Sequence, residues 1–103
     1  MADRHTIILI QPHNNPGSRS YYDYESVPQA MDGVCNLFEE QLKKKNRNVP
    51  NITYGIQDLF NYLDGLHDMS ALVYSNQTRM YEPFGRDWIK NSVHQHLKKY
   101  LQK

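Results

Sequence analysis

The chain has 103 residues, of which 39% are hydrophobic and 22% are charged, and its net charge is +1 with the histidines neutral. This length predicts one domain over residues 1–103, and this composition argues against a disordered chain. The near-neutral charge argues against a protein held on nucleic acid by an overall positive field. No apolar run approaches the roughly 20 residues of a membrane helix, so we expect no membrane contact. The MADRH start lacks a secretory pattern and the single Cys35 has no partner for a disulfide, which together indicate an intracellular protein.

The first predicted element is a strand at residues 5–12, HTIILIQP, because β-branched residues dominate it. The turn signal HNNPGS follows at residues 13–18, and the tyrosine-rich segment 19–24 is the returning strand of a hairpin. Side chains alternate between the two faces of a strand, so the first strand is apolar on both sides. Ile7 and Leu9 lie on one face, and Ile8 and Ile10 lie on the other.

A helix is predicted from Ser26 to about Lys45. Ser26 and Gln29 have the spacing of a capping box, in which each side chain satisfies a backbone N–H at the start of the helix. Pro50 prevents the helix from continuing further. Apolar residues follow the cap at the spacing of one helix face: Met31, Val34, Phe38 and Leu42.

Two more helices and a second hairpin complete the chain. The second helix carries the apolar face Ile56, Leu59, Phe60, Leu63 and Leu66. Residues 71–74 (ALVY) and 79–82 (RMYE) read as strands joined by a turn at 75–78, with Pro83 ending the second strand. The third helix carries the face Trp88, Ile89, Val93, Leu97 and Tyr100. The order β-β-α-α-β-β-α favours an α+β fold with a four-stranded antiparallel sheet.

The sheet has more apolar surface than the helices can cover. Four strands about 4.8 Å apart span roughly 19 Å, so helices about 10 Å wide must be used two or three at a time to cover one face. We therefore expect three helices on one face and an open second face. An open apolar face is most simply covered by the same face of a second copy, in a two-fold dimer. The alternative is that the helices divide between the two faces.

The strand pattern also indicates which residues would form that dimer. A tight hairpin at 75–78 places Leu72 opposite Tyr81, with Tyr74 and Arg79 on the same face. The opposite face, with Ala71, Val73, Thr78 and Met80, suits packing against helices. His5 and Gln11 flank the Ile7 and Leu9 face as a polar rim. The predicted dimer interface is Ile7, Leu9, Leu72, Tyr74 and Tyr81.

No catalytic or metal-binding pattern is recognisable, so we expect neither an enzyme nor a cofactor. The glycines form no phosphate-binding loop, and the five histidines have no zinc-ligand spacing. Cys35 lies beside the apolar face of the first helix, which favours a buried structural thiol. One basic cluster could touch phosphates, but its position favours a solvated helix end. It consists of Lys43, Lys44, Lys45, Asn46 and Arg47.

Several blocks together resemble the enhancer of rudimentary homologue family, collinearly from about His5 to Lys99. They are HTIILIQP, YDYESV (22–27), MDGVCNLFEEQLKK (31–44), NITYGIQDLFNYLDGL (51–66), ALVY (71–74) and YEPFGRDWIK (81–90). The resemblance implies a four-stranded antiparallel sheet with three helices on one face and a homodimer formed through the open face. It therefore agrees with the expectation from the strand pattern.

The resemblance also implies a function, that of a non-catalytic homodimeric adaptor in the nucleus, the cytoplasm or both. Family members bind short segments of RNA-processing and gene-expression proteins, in splicing, RNA decay and small-RNA maturation. They carry casein-kinase-type sites, and Ser20 keeps that pattern with Asp23 three residues later. Ser26 does not, because Gln29 stands where an acid is usual, and Gly55 and Gly65 also replace frequent acids, as in a divergent paralogue.

Two other functions remain open. One is a direct RNA-binding domain that uses the basic cluster at residues 43–47, and the other is a small enzyme with an unrecognised site. In the adaptor interpretation, the partner segment docks either as a helix in a groove or as an added edge strand.

Overall fold

The computed structural model describes residues 4–45 and 54–101. Asn46, Arg47 and Pro50, which entered the sequence argument, lie outside these ranges. The predicted order β-β-α-α-β-β-α is confirmed. The elements are β1 (Thr6–Gln11), β2 (Ser20–Tyr24), α1 (Val27–Lys45), α2 (Ile56–Gly65), β3 (Asp68–Ser75), β4 (Met80–Gly85) and α3 (Arg86–Leu101).

The strands form one antiparallel sheet in the order β2-β1-β3-β4. The two hairpins are therefore joined through β1 and β3, and Ile8 lies opposite Tyr22 on one side and Ala71 on the other. Because β1 has neighbours on both sides, its apolar character suits a central strand. The outer strands, β2 and β4, are the two edges of the sheet.

The predicted register of the second hairpin is wrong by two residues. Tyr81 lies opposite Tyr74 rather than opposite Leu72, and Leu72 faces Pro83. The cause is a turn displaced by one residue, to 76–79, in which Arg79 has a φ of 60° and belongs to the turn rather than to the strand. A shift of two residues keeps side chains on their original face, so Leu72, Tyr74 and Tyr81 still share one face.

Pro83 does not end the fourth strand, as the sequence had suggested. β4 continues through Pro83 to Gly85, and Arg86 opens α3 with no residue between strand and helix. Proline lacks an N–H and is therefore confined to edge strands, and β4 pairs only with β3. The Arg86 guanidinium donates a hydrogen bond of 2.7 Å from Nη2 to the carbonyl oxygen of Leu66, which follows α2. This junction ties together β4, α3 and the end of α2.

The cap predicted for α1 is present, with one of its bonds displaced. The backbone N–H of Gln29 donates to the Ser26 hydroxyl at 3.3 Å. The Gln29 side-chain oxygen accepts from the N–H of Glu25 at 3.1 Å, one residue earlier than a capping box requires. Both side chains still satisfy backbone groups at the point where the chain turns from β2 into α1.

All three helices pack on one face of the sheet, as predicted, and the alternative with helices on both faces is wrong. Ile8, Ala71 and Val73 point into this layer and are fully buried. None of the described helices is long and apolar enough to cross a membrane. Buried core residues from the helices are Ala30, Met31, Val34, Cys35 and Phe38 from α1, Leu59 and Leu63 from α2, and Ile89 and Val93 from α3.

Candidate functional site

The face of the sheet turned away from the helices presents three rows of side chains, which follow from the strand register. Each row runs across the sheet in the order β2, β1, β3, β4. The first row is Tyr21, Leu9, Ser70 and Gly85, and the second is Asp23, Ile7, Leu72 and Pro83. The third is His5, Tyr74 and Tyr81, with the Tyr74 N–H donating to the His5 carbonyl at 2.9 Å.

This surface, which we call the open face, is mainly aliphatic and aromatic. Ile7, Leu9, Leu72 and Tyr74 are only half-buried, whereas their neighbours along the same strands are fully covered by the helices. Tyr21 is 71% exposed and Tyr81 is 42% exposed, which places them among the exposed large hydrophobic residues. The five residues predicted for a dimer interface are thus brought onto one surface. The register adds Tyr21 and Pro83, which sequence reasoning missed because it did not align β2 and β4 with β1.

A chain of polar contacts crosses one end of the open face. Nε2 of His5 lies 3.0 Å from Oδ1 of Asp23, and Nδ1 of His5 lies 2.7 Å from the Tyr81 hydroxyl. The Tyr81 ring also meets the Tyr74 ring edge-on, with 5.4 Å between centroids. In the neutral tautomer with its proton on Nε2, the imidazole donates to Asp23 and accepts from Tyr81. His5 was predicted as a polar rim residue, and the structure makes it the link between both edge strands.

The opposite end of the open face is closed by a second polar pair. Gln11 is nearly buried, and its side-chain oxygen accepts a hydrogen bond of 2.9 Å from Nε of Arg19. Its side-chain nitrogen donates to the carbonyl oxygen of His13 at 2.9 Å. Polar contacts therefore bracket the apolar rows at both ends, as in an interface with an apolar centre and a polar rim.

A groove between α1 and α2 is the second candidate site. Its volume is about 770 Å³, within the range of roughly 300–1,000 Å³ typical of ligand pockets. Aromatic rings build it, because the Phe38 ring meets Tyr54 edge-on at 4.9 Å and Tyr62 at 5.2 Å. Polar side chains that line it include Gln41 and Asn61. No sequence pattern announced this groove, because it depends on how two helices pack against each other.

Tyr54 is fixed at the groove by its hydroxyl, which donates to a carboxylate oxygen of Glu39 at 2.8 Å. Burial and this hydrogen bond raise the pKa of Tyr54 above the ordinary range of a phenol. Burial likewise raises the pKa of Tyr62. Both phenols are therefore neutral at physiological pH, and the groove offers aromatic surface rather than charge from these residues.

The described residues contain no cluster of side chains that could hold a metal ion. Within them, no group of three or more His, Cys, Asp or Glu side chains converges as metal ligands would. Cys35 is buried, and burial together with the Glu39 and Asp32 charges raises its thiol pKa to about 11. His94 meets the Phe60 ring of α2 at 5.9 Å, whereas His96 contacts Asp32 of α1 at 2.6 Å. The two histidines contact different helices and do not converge, because residues two apart on a helix do not face each other.

The family comparison decides what kind of chain this is. The family model described as Enhancer of rudimentary matches residues 2–103. The chain belongs to the enhancer of rudimentary family. Nearly the whole sequence is matched, so the resemblance noted in the separate sequence blocks is confirmed.

Similar proteins of the enhancer of rudimentary family occur in animals, plants and fungi. Protein enhancer of rudimentary of Drosophila virilis is 50% identical over 90 residues, which cover 87% of this chain and 86% of the relative. The Enhancer of rudimentary homolog of Arabidopsis thaliana is 48% identical over 98 residues, which cover 95% of this chain and 90% of the relative. Enhancer of rudimentary homolog 1 of Schizosaccharomyces pombe is 24% identical over 96 residues, which cover 93% of this chain and 88% of the relative.

Proposed function

We propose that this protein is a non-catalytic homodimeric adaptor that binds short segments of RNA-processing and gene-expression proteins. The observation that carries the proposal is the open face, where half-buried aliphatic side chains adjoin exposed tyrosines. A contiguous apolar sheet face is costly to leave in water and marks an interaction site. The resemblance to the family supplies the RNA-processing context, and the residues supply the binding role.

A second copy of the chain is the occupant that fits the open face best. The face is self-complementary in the sense that a two-fold contact requires, because aliphatic rows lie at its centre and polar pairs at its ends. Two such sheets pack about 10 Å apart with interleaved side chains, a distance that Ile7, Leu9 and Leu72 can fill. Two acidic residues have the parity of the open face: Asp23, which His5 accompanies, and Asp68, which lies opposite Gln11 at the far end.

The oligomeric state tests the first half of the proposal. We expect light scattering with size exclusion at micromolar concentration to give twice the chain mass of 12.2 kDa. The double variant Ile7→Arg, Leu9→Arg should be a folded monomer, because two unpaired charges would have to be buried at several kcal/mol each. Ile8→Arg is the matched control on the same strand, and it should unfold the chain because Ile8 is fully buried under the helices. A wild-type monomer at this concentration would contradict the proposal.

The groove between α1 and α2 supports the second half, the binding of partner segments. It offers aromatic surface with polar groups at its border, which suits a short segment that inserts apolar side chains. In a dimer the groove occurs twice, so two tethered partners are brought together and gain avidity. We expect one peptide to bind per protomer.

Peptide titration tests this role. Partner proteins are recovered from cell extract, truncated to peptides and titrated by calorimetry, and we expect a one-to-one ratio per protomer with a negative heat-capacity change. Gln41→Arg should weaken binding at least tenfold, because the new side chain occupies the groove. Asn36→Arg is the control, since Asn36 is exposed on the same helix and does not line the groove. Equal losses of peptide affinity in both variants would show that the peptide does not bind in this groove.

A direct RNA-binding domain is the second candidate function. Lys43, Lys44 and Lys45 are all exposed in the last turn of α1, where they could contact phosphates. Binding of naked RNA that weakens steeply with salt, together with loss of binding when the three lysines are replaced by glutamine, would favour this function over the adaptor. We expect no such binding in the affinity range of the peptides.

We also propose that Ser20 is a regulatory phosphorylation site. Ser20 is exposed, opens the edge strand β2, and has Asp23 three residues later as casein-kinase-type recognition requires. A phosphate would add close to two negative charges at the start of the edge strand, where Ser20 lies opposite Ile10. Kinase treatment followed by peptide mapping should find phosphate on the peptide that contains Ser20 in the wild type. The corresponding peptide of the Ser20→Ala variant should carry none. A wild-type protein without phosphate on this peptide would refute the site.

A further inference from the structure

The polar chain at the end of the open face is centred on a histidine, His5. Histidine is the side chain whose ordinary titration lies between about pH 5 and pH 8. His5 bridges Asp23 of β2 and Tyr81 of β4 through both ring nitrogens. In the isolated protomer the side chains of His5 and Asp23 are 37% and 59% exposed, so water solvates the carboxylate whether or not the imidazole is charged.

A partner seated on the open face changes this balance. Tyr74 and Tyr81, which lie in the row of His5, belong to the proposed interface, so covering them also removes water from His5 and Asp23. A carboxylate that loses water is strongly disfavoured unless a cation accompanies it. A neutral His5 can donate only a hydrogen bond to Asp23, whereas a protonated His5 neutralises it. Covering the face therefore favours the protonated imidazole.

We propose that association of two copies through the open face takes up protons at His5, so that the dimer is tighter in mildly acidic than in mildly alkaline solution. This inference rests on the proposed homodimer and concerns its regulation. It adds a physical signal, local acidity, to which the assembly responds without any ligand. Each protomer would contribute one histidine whose protonation is coupled to formation of the interface.

The surroundings of His5 are consistent with this assignment. The groups that face it from neighbouring elements are Asp23 from β2 and the phenols of Tyr74 and Tyr81 from β3 and β4. Other charged residues at this end of the sheet are Arg4 on its own segment, Glu25 beyond β2 and Arg79 in the turn before β4. Among the described residues, the carboxylate in contact with the His5 ring is that of Asp23. The carboxylate is thus the charge that the imidazolium would compensate.

The dimer dissociation constant as a function of pH tests the inference. We expect it to fall about tenfold or more between pH 8.0 and pH 5.8, because each dimer can take up as many as two protons. The constant is measured by diluting fluorescently labelled protein to nanomolar concentration. Calorimetric dilution in two buffers of different ionisation enthalpy should count protons released when the wild-type dimer dissociates near pH 7.

Two variants separate the linkage from other titrations. His5→Gln keeps a side-chain donor for Asp23 but has no titrating group, so its dissociation constant should be nearly independent of pH and its proton count close to zero. Asp23→Asn removes the negative charge, so a protonated His5 would be buried without compensation, and this dimer should weaken in acid rather than tighten. We therefore expect the dissociation constant to be independent of pH in His5→Gln and to rise in acid in Asp23→Asn.

The outcomes distinguish this inference from the proposed dimer. A dimer whose stability is unchanged across the pH range, or an equal pH dependence in the wild type and His5→Gln, would overturn the linkage and leave the homodimer standing. A wild-type monomer at every pH would overturn the homodimer, and the linkage with it. A wild-type dimer that tightens in acid, with the flat and inverted profiles in the two variants, would establish the linkage.

Discussion

Gly33 shows how a single residue sets the distance between α1 and the sheet. It lies in the buried face of α1, and a Cβ built at this position overlaps the hydroxyl and ring of Tyr24 at the end of β2. The close approach allows the aromatic ring to lie against the helix backbone. In the sequence Gly33 is an unfavourable residue inside a helical pattern, and nothing in the spacing reveals the ring that requires it.

Replacing Gly33 by alanine should therefore destabilise the protein. We expect a loss of about 1–3 kcal/mol in the free energy of unfolding, because either the Tyr24 ring or the helix must move. Gly65→Ala is the matched control in α2, since a Cβ there meets no atom within 4 Å, and it should stabilise by up to about 1 kcal/mol through helix propensity. Urea unfolding measures both, and a neutral Gly33→Ala would show that the contact is readily relaxed.

Cys35 illustrates a residue whose chemistry is suppressed by its surroundings. Its predicted burial is confirmed, and burial followed by the Glu39 and Asp32 charges raises the thiol pKa to about 11. At pH 8 roughly one thiol in a thousand is then ionised, and the thiolate is the reactive form. We expect a thiol reagent to label the native protein at least tenfold more slowly than the urea-unfolded chain. Equal labelling rates would show that Cys35 is exposed in solution.

At the scale of elements, interactions between residues close in the sequence could be predicted, whereas interactions that depend on the pairing of strands could not. The start of α1 followed from Ser26 and Gln29, whose hydrogen bonds are local. The strand end at Pro83 was predicted wrongly, because an edge position makes proline tolerable and edge positions depend on the sheet order. The register of β3 and β4 was wrong for a similar reason, since the turn at residues 76–79 has no compact glycine signature.

The cap of α1 should be measurable as stability. Ser26→Ala removes the acceptor for the Gln29 N–H and should cost about 1 kcal/mol in the free energy of unfolding. Ser26→Asp is the control, because aspartate caps helices as well and its charge suits the positive end of the helix. Equal destabilisation by both substitutions would indicate that the hydroxyl is not the source of the stability.

At the scale of the whole molecule, the open face was predictable and its finer contents were not. Four consecutive aliphatic residues in β1 and a supply of three helices were enough to require an uncovered face. The His5 bridge was not predictable, because its partners are far away in the sequence: Asp23 is 18 positions from His5 and Tyr81 is 76 positions from it. The groove likewise depends on rings from α1, α2 and the residue before α2 meeting in three dimensions.

Three half-buried phenols give the molecule a definite response to alkaline pH. Burial raises the pKa values of Tyr24, Tyr54 and Tyr62 above 10.0, the ordinary value that the unfolded chain retains. A raised folded-state pKa gives stability that is fully present below pH 10 and is lost as the pH rises toward the folded value. We expect the urea midpoint to be constant from pH 7 to 9 and to fall above pH 10.

Tyr54→Phe provides the control for this alkaline loss. It removes one of the three titrating groups, so its urea midpoint should fall less steeply above pH 10 than that of the wild type. At neutral pH it should be less stable by about 1 kcal/mol, because the hydrogen bond to Glu39 is lost. An identical alkaline slope in both proteins would assign the effect to other groups.

The junction between β4 and α3 has a mechanical consequence. Strand and helix meet at Gly85 and Arg86 without an intervening loop, and the Arg86 side chain is anchored to the end of α2. A hinge here would have to use the terminal residues Gly85 and Arg86 themselves, and the hydrogen bond from Arg86 to the Leu66 carbonyl restrains one of them. We therefore expect a displacement of β4 at Tyr81 to be passed on to α3 on the other side of the sheet, because no loop separates the strand from the helix.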